Sequence, residues 1–353
     1  MMLTKKAIGA FVLFTSAVAL AAPPPLNLNR EEVLDFFAEN VYGVRPDLSS
    51  FEKACTVADC GIDTRLKAHR YDVTLNTMTP FGETNFTAVA LVPAAAADRR
   101  VPCFVYISFS NPATMIRSDP PSSVRPYRWP AAEIVEQGFA TVAFDSRAVF
   151  PDETAAITRW GASKDRKPDA WGAISAWALA ASRVMDWLET FEGVDASKVA
   201  VIGLSRLGKT AIWAGATDTR FAYVVSNESG CLGARPSACR LESPHAETIA
   251  EITGRYPHWF APNCGRKFAG KDYDLPFDQH WLIATIAPRL MAVGSAEDDH
   301  WSCPSGEHAG LDLARPAWGK CADRCHYFIR PGGHDIRIVD WLDYMSFAKR
   351  KGW

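Results

Sequence analysis

Short apolar runs recur along this chain at intervals that leave room for a helix between most of them. Cys103–Phe109, Phe139–Phe144, Lys198–Gly203, Ala222–Ser226, Arg289–Gly294 and Tyr327–Arg330 are four to seven residues long and mostly apolar throughout rather than alternating. That is the pattern of strands buried on both faces. Apolar residues at helical spacing mark Ala170–Glu189, Gly208–Gly215 and Ile336–Lys349. Strands alternating with helices predict an α/β fold, a three-layer sandwich in which helices cover both faces of a mainly parallel sheet. Cys231 to Gln279 breaks the rhythm with Pro, Gly, Cys and aromatics around one short helical signal near Glu247 to Ile252. We expect it to be an inserted loop region over the C-terminal edge of the sheet, where α/β proteins place their sites.

The chain of 353 residues is 48% hydrophobic and 22% charged, the mix of a folded protein. It shows no internal repeat and no shift of composition that would mark a boundary, so residues 22–353 are expected to form a single domain. Lys and Arg number 38 against 40 Asp and Glu, a formal net charge of −2. No excess of cation is left to drive nucleic-acid binding. At the N-terminus, Lys5 and Lys6 precede an apolar stretch from Ala7 to Leu20, and Ala19-Leu20-Ala21 has the small residues of a cleavage site. Such a stretch spans about 21 Å as a helix, short of the roughly 30 Å hydrocarbon core. We therefore expect residues 1–21 to be a signal peptide and the mature chain to be secreted or periplasmic, with no membrane attachment. An oxidising destination makes disulfides an expectation for the nine cysteines, with Cys55–Cys60 and Cys321–Cys325 as local candidates. Cys321, Cys325 and His326 lack a second pair of zinc ligands, so no metal is expected.

In Lys198–Lys209 a serine, Ser205, stands directly between an apolar strand and a helix. This is the strand-turn-helix of a nucleophile elbow, which lifts the hydroxyl above the sheet edge at a helix N-terminus. Gly203 fits the crowded turn. The second glycine of the usual G-x-S-x-G comes one residue late, at Gly208, and Arg206 follows the serine. A serine needs a base oriented by an acid. His334, in Gly332-Gly333-His334 after the last apolar run, is where the Ser, acid, His order of α/β-hydrolases puts the base. His69 precedes the elbow, and His280 reads as structural. His245, His258, His300 and His308 read as loop residues able to touch substrate. Two acids compete for the third place: Glu228, in Ser226-Asn227-Glu228-Ser229-Gly230, and Asp299, in Asp298-Asp299-His300-Trp301.

Together with Leu275-Pro276-Phe277-Asp278-Gln279-His280, Ala287-Pro288-Arg289 and Asp169-Ala170-Trp171-Gly172, these stretches resemble the glucuronoyl esterases, carbohydrate esterase family fifteen, over roughly residues 100 to 350. The arginine after the serine and the lysine four residues on make the resemblance specific. It implies an α/β-hydrolase fold and hydrolysis of the ester joining 4-O-methyl-D-glucuronic acid of glucuronoxylan to lignin alcohols. It also implies Ser205 as nucleophile, His334 as base, and Glu228, or Asp299 as in some bacterial members, as the acid. Arg206 would stabilise the oxyanion through its backbone N–H and guanidinium. Lys209, one turn on, would donate to sugar hydroxyls, Glu247 would accept from them, and Trp301 offers a flat face to a pyranose ring. In the family an Arg-rich segment and a Gly-Glu follow the Ser-Gly; here Cys231 to Arg240 inserts a few residues, and Ala246-Glu247 replaces Gly-Glu. Leu204 stands where fungal members have a half-cystine, and whether Cys231 and Cys239 pair instead is open. No cofactor is expected, and the chain is expected to act as a monomer. The rival readings are an acetyl xylan or other ester hydrolase of the same fold, and an inactive carbohydrate-binding homologue.

Overall fold

All six apolar runs are strands in the computed structural model, which describes residues 29–96, 99–153, 166–239 and 245–353. The expected signal peptide and Arg240 lie outside those residues. Three strands that the sequence reading did not mark come first: β1 Cys55–Asp63, β2 Ala68–Thr79 and β3 Gly82–Pro93. The expected strands follow as β4 Val101–Ser108, β5 Ala140–Asp145, β6 Val194–Leu204, β7 Tyr223–Asn227, β8 Leu290–Ala296 and β9 Cys325–Arg330. They form one sheet in the order β1-β2-β3-β5-β4-β6-β7-β8-β9, antiparallel from β1 through the β3–β5 pair and parallel beyond it.

The parallel part explains its own sequence. Along β6, Val201 packs into the core on one face while Ala200 and Ile202 pack into the core on the other, so the strand has no wet side. The first core is closed by the helix Ala173–Leu188, buried almost all round, and by the helix Arg206–Thr217. The second is closed by Ala131–Glu136 and by Ile338–Arg350, which buries Trp341 and Tyr344. This is the α/β-hydrolase arrangement, three layers with the C-terminal ends of β6, β7 and β8 side by side. Between β7 and β8 the expected insertion carries the helix Ile249–Arg255 and two further short helices, Pro262–Phe268 and Gln279–Ala284.

The disulfide expectation is corrected: no disulfide joins any of the nine cysteines. Cys55 and Cys60 lie on the same strand β1. Five residues of strand separate their Cα atoms by about 16 Å, far beyond the roughly 7 Å a bridge can span. Cys321 precedes β9 and Cys325 begins it, both as free thiols. Cys231 and Cys239 are buried and form no replacement bridge with each other. The neighbouring His326 bonds Asp343 at 2.5 Å.

Candidate active site

The turn at Ser205 is held open against its own preference. Ser205 has φ +60° and ψ −127°, a left-handed conformation that costs a non-glycine residue free energy. Three hydrogen bonds fix it: its N–H donates to the Asn227 carbonyl on β7 at 2.8 Å, and its carbonyl accepts from the N–H groups of Gly208 and Lys209 at 2.8 and 3.1 Å. A Cβ on Gly203 would lie 2.1 Å from the Leu207 carbonyl oxygen, so only glycine lets β6 pass the returning helix. A Cβ on Gly208 would press on the Ser229 Cβ at 3.0 Å. The second glycine is at this position because the helix meets the β7 turn there.

His334 follows β9 and is the most exposed of the three facing groups, its side chain 39% accessible. Its Nδ1 lies 2.6 Å from Asp299 Oδ2 and 3.3 Å from Glu228 Oε2. The carboxylates differ in everything else. Asp299 accepts from the Ser302 N–H at 3.2 Å; burial pushes its acidity down, but the bonds from His334 and Ser302 outweigh this and hold the carboxyl below the usual range. Glu228, at φ +47°, accepts from Arg330 Nη2 at 2.7 Å and from the Asp335 N–H at 2.8 Å. Burial nevertheless dominates and raises it to about 7, against the pull of His334 and Arg330. His334 is itself raised to about 9: burial lowers it, and the bonds and charges of Asp299 and Glu228 more than reverse that. Among the described residues, these three groups are the one cluster whose donor atoms could converge on a cation. Its closest contact is a hydrogen bond of 2.6 Å and Arg330 already neutralises Glu228, so the donor set is that of a proton relay.

A cavity of about 150 Å³ is lined by Ser205, Arg206, Lys209, Glu228, Glu247, Trp301 and His334. Every site residue marked in the sequence except Asp299, which lies behind His334, therefore faces one space. Lys209 is buried with its Nζ bonded to the Ser229 carbonyl; burial lowers its basicity, partly offset by Glu247. Glu247, buried and raised by that burial, is hydrogen-bonded by Trp301, whose own ring is exposed. Arg255 lies over that ring at 5.4 Å.

Sequence reasoning missed the surroundings of Arg206. Its guanidinium sits 4.7 Å from the Trp259 ring and 5.1 Å from that of Phe109, and pairs with Asp152 at 3.2 Å. Asp152 also accepts from Trp259 Nε1 at 2.7 Å and faces His258 Nε2 at 3.2 Å. His258 is therefore a buried supporting residue, not a substrate-facing one. His308 sits in the helix Pro304–Ala314, stacked on Tyr327 and paired with Asp312, rather than in a loop. No periodicity or spacing links Asp152 to Arg206; the contact exists only in three dimensions.

Fold and site together define a serine-hydrolase type of α/β protein. Residues 109–321 match the family model described as glucuronyl esterase, fungi. A carbohydrate esterase, MZ0003, from an unknown prokaryotic organism is 38% identical over 246 residues, 63% of this chain and 55% of that protein. The 4-O-methyl-glucuronoyl methylesterase of Hypocrea jecorina is 36% identical over 156 residues, 42% of this chain and 33% of that one. These matches span about half or less of the curated relatives' length. Over the whole fold, the glucuronoyl esterase of Solibacter usitatus superposes with a TM-score of 0.80 at 31% identity, covering 93% of both chains. The chain belongs to the glucuronoyl esterase family.

Proposed function

We propose that this protein is a carboxylic ester hydrolase that cleaves the ester between 4-O-methyl-D-glucuronic acid of glucuronoxylan and lignin alcohols. The observation that carries the reading is the His334 imidazole, held at Nδ1 by Asp299 at 2.6 Å beside a serine on a strained elbow in the same cavity. With Nδ1 engaged, Nε2 is the nitrogen left to take the Ser205 proton. Ser205 Oγ attacks the ester carbonyl, the oxyanion is met by the Arg206 backbone N–H and guanidinium, and the alcohol departs with the proton from His334. Water, deprotonated by the same imidazole, then releases the uronate. Lys209 and Glu247 suit sugar hydroxyls, and their burial pre-positions them, while the exposed Trp301 ring suits the sugar's face.

We further propose that the chain acts as one catalytic domain and as a monomer, outside the cytoplasm. The leader-like segment Met1–Ala21 supports that location, and no described helix is long and apolar enough to cross a membrane. Ser205→Ala should reduce release of alcohol from benzyl glucuronate by roughly 10⁴-fold or more. Retained turnover would overturn the assignment. Rates on p-nitrophenyl acetate measured alongside distinguish a simple acetyl esterase, which would favour the acetate and lose little on Lys209→Ala.

A further inference from the structure

A second and larger space, about 450 Å³, opens on the other side of the elbow. Its walls come from the residues that follow β4 and β5 and from the segment around Arg125 and Arg128. In the sheet order β4 flanks β6 on one side, whereas β7 and β8, which lead to Glu228 and Trp301, lie on the other. Phe109 is the partition: it lines the larger cavity, and its ring is 5.1 Å from the guanidinium of Arg206 and 5.6 Å from that of Arg128. Arg128 Nε in turn bonds Asp335 at 2.7 Å, next in the chain to His334. Phe109 and Arg128 thus set this space against the Arg206 side of the site, away from Lys209, Glu247 and Trp301.

The lining is rich in donors. Arg125, Arg128 and Arg147 face the cavity against a single lining carboxylate, Asp145. Behind them Asp335 is shared by Arg128, Arg337 at 3.1 Å and Arg125 at 3.9 Å. Four guanidiniums thus answer to two carboxylates, in a chain whose total charge is −2. The hydroxyl of Tyr106, wholly buried in the cavity wall, has no hydrogen-bond partner among the described residues. Arg125 and Arg147 are more than half exposed, and their carboxylate contacts of 3.9 and 3.3 Å are loose enough to be exchanged for a ligand's.

We propose that this cavity is a subsite for the alcohol half of the ester and prefers an alcohol bearing an anionic oxygen group, a carboxylate above all. The inference rests on the esterase reading. Fork-shaped guanidiniums match a carboxylate in two bonds, and the Phe109 face suits an aryl spacer.

The test uses 4-carboxybenzyl, benzyl and 4-(aminomethyl)benzyl glucuronates, all esters of benzylic alcohols, so that the difference read is chiefly one of recognition. The expected order of kcat/KM is carboxyl over unsubstituted over ammonium, with a roughly five- to tenfold step to the carboxyl ester that narrows as salt is added. In Arg125→Ala/Arg147→Ala the ratio of carboxyl to benzyl should fall to about one. Equal kcat/KM for the three esters in the native protein would overturn the proposal, as would a charge preference that survives in the double variant. Failure of every ester to turn over would instead sink the esterase reading, and the subsite with it.

Discussion

Two loops bring a carboxylate to the same imidazole, and they do so in opposite ways. The loop after β8 presents Asp299 at 2.6 Å from His334 Nδ1, with its remaining bonds to Ser302 and its charge retained. The turn after β7 presents Glu228 at 3.3 Å, wholly buried, with one oxygen on Arg330 and the other on the Asp335 N–H. One carboxylate is spent on the histidine. The other is spent chiefly on the loop that carries the histidine, since Arg330 ends β9 and Asp335 follows His334. In the role proposed for His334, distance alone does not separate the two acids; the distribution of each oxygen's bonds favours Asp299 as the orienting one.

The largest effect that could break this contrast is on Asp299. Asp299→Asn should lower kcat by about 10³- to 10⁴-fold with little change in KM, because the imidazole loses both its tautomer and its counter-charge. Steady-state kinetics on benzyl glucuronate decide it. A loss below tenfold would transfer the orienting role to Glu228.

Much of this site was legible from sequence because each feature leaves a local trace. Strands buried on both faces read as continuous apolar runs, and six were found. Ser205 stands between a strand and a helix, and His334 follows a strand in the expected chain order. What was not legible has physical reasons. Strand β1 is an exposed edge and β2 alternates polar and apolar residues over much of its length, so neither reads as a continuous apolar run; β3 does end in one, Ala88–Val92, packed on both faces, and sequence reasoning missed it. The contrast between Glu228 and Asp299 lies in where their other bonds go, to Arg330 and the Asp335 N–H or to Ser302, contacts made between separate strands and loops that no local pattern shows. Asp152 reached Arg206 over a separation in sequence that no motif spans. The cysteine count suggested bridges because it carries no geometry, and one strand's extension is enough to forbid the Cys55–Cys60 pair.

The next effect is smaller and lies on Glu228. Glu228→Gln removes the charge and leaves a single acceptor oxygen, enough for Arg330 or for the Asp335 N–H but not for both, while Arg330 keeps Asp340 at 2.9 Å. The remaining loss is that of a long second contact to His334, worth about 1 kcal/mol, or roughly fivefold in kcat. Glu228→Ala would differ in kind: it strips a buried guanidinium of one partner and should lower stability by about 2–3 kcal/mol, visible as an earlier thermal transition. A kcat loss on Glu228→Gln as large as that on Asp299→Asn would mean that the two acids share the role.

The smallest effect is also the most diagnostic, because it reads the two contacts at one atom. His334 works as a base only when neutral, and its two carboxylate partners stabilise the charged form, raising its titration to about 9. The neutral fraction therefore grows with pH and reaches one half only at that value, so kcat/KM should still be climbing well above the range of an ordinary histidine near 6.5. Removing a partner removes stabilisation of the cation and must move the rising limb toward lower pH. Asp299→Asn should move it by about one unit or more and Glu228→Gln by less, since a unit corresponds to about 1.4 kcal/mol and the closer contact carries more of it. The activity that survives Asp299→Asn would then be reached at a lower pH even though its ceiling is far lower. A limb that stays in place in Asp299→Asn but falls in Glu228→Gln would reverse the order in which the two loops act on the histidine.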